Sequence, residues 1–146
     1  MSWERAFALA NLAAVVGWAA LVLLPRPKVL IGALRYGLIA ALALAYSALV
    51  MVYFARTGGG FGSIAEVRTL FASDPLLLAG WLHYLAFDLF VGLWIAEQAD
   101  ALGFSRWLQA PVQAATFLFG PLGLLIFLLW KSVHGAQVRL VEGAQS

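Results

Sequence analysis

The sequence has no cysteine, two histidines and few charged residues, and each scarcity removes a class of function. Without cysteine there is no disulfide, no thiolate metal ligand and no cysteine nucleophile. The two histidines, His83 and His134, lie far apart. No Glu-x-x-His and no second histidine within an apolar run completes a di-metal or bis-histidine site, which leaves only a haem shared between two protomers. No cofactor is expected. A phosphate loop and a serine elbow are also missing, so nucleotide and hydrolase chemistry have no foothold. No Ser- and Arg-rich leader precedes the first apolar run, so a transit peptide is not expected, and the run reads as a retained span in a bacterial-type or processed chain.

What is present is apolar. Hydrophobic residues make up 64% of 146 positions and charged ones 11%, more apolar surface than a water-soluble core of this size could bury. An integral membrane protein of the all-α class is expected, a four-helix bundle forming a single domain over residues 1–146. The spans fall at about 6–24, 29–54, 75–96 and 111–130, with a short interfacial helix between the second and third. The net charge of +2 suits anionic lipid headgroups and not nucleic acid.

The first span ends at Pro25-Arg26-Pro27-Lys28, two helix breakers with two cations. Ala10 with Ala14 and Ala13 with Gly17 form small-residue seams, and Asn11 reads as an interhelical hydrogen bonder or a ligand. The second span carries Ala33, Gly37, Ala41 and Ala45 as a packing seam, which also suits a homodimer. Arg35, Tyr46 and Tyr53 share one direction beside it, as a polar stripe or as interface anchors. Thr57 to Gly62 reads as a flexible connector, and Ser63-Ile64-Ala65-Glu66 as a capping box that opens an interfacial helix able to act as a lid. Asp74-Pro75 starts the third span, Gly103 stops it, and Ser105 starts the next helix. Pro121 is expected to kink the fourth span beside the space left by Gly120 and Gly123.

With four crossings, Arg5, Arg56, Arg68, Lys131 and Arg139 share one side, against Arg26, Lys28 and Arg106 on the other. The bias predicts an inner-membrane protein with both termini in the cytoplasm.

Ionisable groups inside a span are expensive and mark function by default. His83 and Asp88 lie in the third span. Counted from the Arg26 side, Arg35 is about 9 Å deep and Asp88 about 12 Å, a depth match that suits a buried pair. Such a pair serves either a site or helix register. Trp81, Tyr84, Asp88 and Gly92 share one face of this helix, while His83, Phe87, Phe90 and Trp94 share another about 140° away. His83 reads as a packing residue, a proton shuttle or a haem ligand. Thr116 and Gly120 border the expected kink, as a groove or as close helix packing.

Two stretches, Gly80-Trp81-Leu82-His83-Tyr84-Leu85-Ala86-Phe87-Asp88-Leu89-Phe90-Val91-Gly92 and Thr116-Phe117-Leu118-Phe119-Gly120-Pro121-Leu122-Gly123-Leu124-Leu125, resemble the abscisic-acid-deficient-four-like family, whose plant members are neoxanthin synthases. The resemblance implies a small multi-span protein that isomerises a carotenoid epoxide, opening the ring and forming an allene. That reaction needs an acid and a base and no redox cofactor. Asp88, His83 and Tyr84 are the catalytic candidates; Arg35, Trp81, Phe87, Trp94, Thr116 and Gly120 are the substrate-binding candidates. The expected partner is a carotenoid or another apolar lipid entering from the bilayer, turned over or merely bound.

Overall fold

The structure is a computed structural model that describes residues 2–143, with the side chains of residues 2–134. The described residues form helices and connections, with no strand among them. The helices are α1 (Trp3–Leu23), α2 (Lys28–Arg56), α3 (Ile64–Phe71), α4 (Asp74–Ala101), α5 (Arg106–Phe119) and α6 (Pro121–Gly143). Of these α1, α2 and α4 are long and apolar enough to cross a membrane. The chain divides into two compact units, Met1–Phe90 and Val91–Ser146, with the boundary inside α4.

In the first unit, Ser2 caps α1 by accepting from the Arg5 amide at 3.4 Å. Arg26 closes the other end, its Nε donating to the Leu21 carbonyl at 2.8 Å, where a cation suits the helix dipole. The small-residue face of α1 is used as expected: Ala10, Ala14 and Gly17 are buried. A Cβ built on Gly17 would come within 2.5 Å of Leu38 Cδ2, so glycine is what lets α2 approach.

The seam expected on α2 turns outward instead. Ala33, Gly37, Ala41 and Ala45 are exposed, and a Cβ on Gly37 would meet nothing within 4 Å. Leu34 and Leu42 are buried in their place, and Leu38 packs beside them. Large side chains of α2 fill the hollow left by small ones of α1, so one small seam serves the contact. The backbone of α2 widens into a π-helical stretch at Ala33–Ile39, which contains Arg35.

The glycine-rich segment is not a loose connector. Ser63 caps α3 through the Glu66 amide at 3.2 Å, but the Glu66 carboxylate reaches back to the Gly62 amide at 2.9 Å, one residue before the position of a standard capping box. Gly60 N donates to the Glu66 carbonyl, and a Cβ on Gly59 would lie 2.6 Å from the Leu70 amide. The segment therefore wraps onto α3.

In the second unit, the expected fourth crossing is absent as a continuous helix. Gly120 adopts φ 45, ψ −94, a conformation reserved for glycine, and ends α5; Pro121 then opens α6 instead of kinking a helix. Around this reversal α6 folds back along α5. Gly123 touches the backbone of Thr116, Phe127 packs with Val112, and Trp130 stacks on Phe104 with centroids 4.0 Å apart. Lys131 Nζ donates to Gln98 Oε1 at 2.7 Å. The hairpin thus returns to the end of α4 from which it set out. Lys131, one of the cations in the charge count that predicted cytoplasmic termini, stands there. Arg139, part of that count, lies outside the described side chains. At the end of α4, Gly103 (φ 71) forms the expected stop, with Phe104 N bonded to Ala99 O and Gly103 N to Asp100 O.

Candidate functional site

The first half of α4 brings most of the candidate residues into the first unit, and it separates them by face. Leu82, Leu85, Ala86 and Leu89 are buried, and Asp88 is drawn in with them at 8% exposure. His83, Phe87 and Phe90 lie on the exposed face, as the helical spacing predicts.

Asp88 is held from its own helix. Tyr84, one turn earlier and partly buried, shares a side-chain hydrogen bond with it. Its Oδ2 is buried and has no hydrogen-bond partner among the described residues, Arg35 included. Arg35 is partly buried in the π-helical stretch and has interactions of its own. The hydrogen bond that holds Asp88 thus leaves Oδ2 open. An acceptor without a donor inside an apolar helix carries a desolvation cost of about 1–3 kcal/mol, more when charged, so this oxygen invites a visiting donor.

Trp81 is fixed by the hydrogen bond from its Nε1 to Asn11 Oδ1, 2.7 Å, which realises the interhelical reading of Asn11. Its ring lies 5.1 Å from that of Tyr84.

His83 borders a cavity of about 270 Å³ roofed by α3 and the glycine-rich segment. Its walls include Tyr46 and Phe54 of α2, Phe61 of the segment, Phe71 of α3 and Gly80 of α4. A Cβ on Gly80 would lie 2.7 Å from Phe71 Cε1, so a larger residue there would push the Phe71 ring aside. The imidazole stacks on Phe87 at 4.4 Å and meets Tyr46 at 5.5 Å, ring centroid to ring centroid. Sequence spacing placed His83 on an aromatic face and offered the helix after Ser63 as a lid, but it did not join the two, because the roof depends on a distant segment folding over His83.

Trp94, Thr116 and Gly120 belong to the second unit. Trp94 packs edge-on to Phe127 and under the Lys131 ammonium. Thr116 is fully buried and donates to the Val112 carbonyl at 2.9 Å, so its hydroxyl serves the hairpin; Gly120 is the turn. Beside them stands Gln113, which sequence reasoning passed over. It is fully buried, Nε2 donates to the Gly92 carbonyl at 2.9 Å, and Oε1 has no partner among the described residues. Gln109 is buried on the same face and bonds Asp100 and Phe104. The signal was legible: Gln109, Gln113, Thr116 and Gly120 recur at helical spacing.

No curated protein and no solved structure matches the chain. A family model described as ABA DEFICIENT 4-like matches residues 5–127, a stretch that includes α1 through α5 almost entirely and the turn at Gly120, and the chain belongs to that family.

Proposed function

We propose that the protein is a membrane enzyme that isomerises the oxygenated end of a carotenoid or related isoprenoid lipid, in the manner of neoxanthin synthase. The observation that carries this reading is His83 facing an aromatic cavity beneath an interfacial helix. At about 270 Å³ the cavity is just under the ~300–1,000 Å³ typical of pockets for drug-sized ligands. It suits one ring of a long lipid, with the polyene running along Phe87 and Phe90 on the exposed face of α4.

In the proposed reaction His83 delivers a proton to the epoxide oxygen, the carbon–oxygen bond breaks, and a proton leaves the neighbouring polyene carbon for the imidazole nitrogen just emptied, forming the allene. The product has the composition of the substrate, so no electrons are exchanged. Asp88, held by Tyr84 on the neighbouring face, supplies the negative charge that favours the protonated imidazole before the transfer.

The test is expression in hosts that make different xanthophyll epoxides, followed by chromatography of their pigments. A new isomer should form, and His83→Gln should abolish it while the purified protein keeps its fold. Unaltered pigments in every host, with good expression, would sink the catalytic reading. A second reading, pigment binding without turnover, is favoured by the apolar lining around His83. It predicts coloured protein from wild type and Asp88→Asn alike, with no product from either.

A further inference from the structure

A second cavity of about 270 Å³ lies where the amino-terminal ends of α1 and α4 meet, apart from the His83 chamber. Its walls combine aliphatic, aromatic and acidic groups, the first from Leu77 and Leu78. Trp3, Phe7 and Trp81 present aromatic surface, and Glu4 and Asp74 present carboxylates. Among the described residues neither carboxylate is paired with a cation or held by a hydrogen bond.

Acidic residues in first helical turns are common, because they offset the helix dipole. That role accounts for Glu4 and Asp74 singly. It does not require that both open onto one chamber, nor that aromatic rings wall it. The rings are also fixed by protein contacts: Trp81 by its bond to Asn11 at 2.7 Å, Phe7 by packing on Trp81 at 5.4 Å, and Trp3 by an edge contact with Tyr53 at 5.8 Å. Preset aromatic faces with negative charge beside them are the recognition chemistry of ammonium groups, and quaternary ones above all.

Location identifies the source. Trp3 is the first residue of an apolar helix long enough to span, and tryptophan at such an end sits among lipid headgroups. We propose that this chamber binds the ammonium headgroup of a zwitterionic phospholipid, with the cation against the aromatic wall of Trp3, Phe7 and Trp81 and its charge met by Glu4 and Asp74. The proposal is independent of the carotenoid reading. A site of this kind would fix one lipid beside α1 and α4 at the level where the chain enters the bilayer.

The experiment is native mass spectrometry of the full chain released from a neutral detergent, titrated with dioctanoyl phosphatidylcholine and, separately, dioctanoyl phosphatidylglycerol. One phosphatidylcholine should be retained at least fivefold more tightly than phosphatidylglycerol. The double variant Glu4→Gln, Asp74→Asn changes two exposed side chains without altering their shape, and it should erase that preference. Trp3→Leu should weaken phosphatidylcholine several-fold and leave phosphatidylglycerol unchanged. Equal retention of both lipids overturns the proposal, as does a preference that survives the double variant. Tetramethylammonium binding as tightly as the lipid would overturn the headgroup as the source.

Discussion

Trp130 lies flat on Phe104, with centroids 4.0 Å apart and ring planes 13° from parallel, so a residue deep in α6 rests on the loop that precedes α5. A helix that crossed the membrane once over residues 111–130 would carry these rings to opposite faces.

The absence of cysteine makes this directly measurable. Ser105→Cys and Ser132→Cys, introduced one at a time, should react with an impermeant maleimide from the same side of sealed vesicles. Labelling from opposite sides would restore the single crossing.

Gly120 and Gly123 should be the least replaceable positions of the second unit. Alanine at Gly120 would have to hold a positive φ, at a cost of about 1–3 kcal/mol. Alanine at Gly123 would press into the Thr116 backbone, where no side chain can rotate away. Both should lower the thermal midpoint in detergent, while Gly37→Ala, into open space, should leave it unchanged.

The hydrogen bond between Tyr84 and Asp88 predicts a graded series. Tyr84→Phe should cost about 0.5–1.5 kcal/mol of stability, or somewhat more because its partner is a carboxyl group. If Asp88 takes part in proton transfer, Asp88→Asn should slow pigment conversion by about 10²–10⁴-fold with fold retained. Conversion at the wild-type rate by Asp88→Asn would confine the residue to architecture.

Much of the first unit, and the end of α4 in the second, was legible in the chain. The stops at Arg26 and Gly103, the cap at Ser63, the small face of α1 and the two faces of α4 all follow from local rules, which read the same before and after folding. The outward turn of Ala33, Gly37, Ala41 and Ala45 was not legible, because a small-residue seam marks where a backbone could come close and not whether one does. The reversal at Gly120 escaped for a related reason. Gly-Pro is compatible with a kink or a full turn, and the choice is made by Phe104, Trp130 and Lys131, contacts that no hydropathy window joins. The burial of Gln113 could have been inferred from its spacing with Gln109 and Thr116.

Glu66 offers a test of the roof over His83. Its bond to Gly62 at 2.9 Å should protect that amide. Glu66→Ala should raise hydrogen exchange and proteolytic cutting across residues 57–62, with helices α1 and α2 unaffected. Unchanged exchange there would mean that ring packing alone holds the segment.

The bonds of Gly60 and Gly62 to Glu66 join the glycine-rich segment to α3 and leave its link to the His83 chamber to packing: Leu70 in a buried cluster with Leu76 and Ala79, Phe61 on Phe54 at 5.4 Å, and Phe71 over Gly80. Segment and helix should then swing as one rigid flap about its ends near Thr57 and Ser73, on the microsecond-to-second scale of lids. Separating rings sacrifices no hydrogen bond, so admission of a lipid becomes a question of rate. The speed of that swing would be set by how fast Leu70 and two phenylalanines leave their packing, and not by the chemistry at His83.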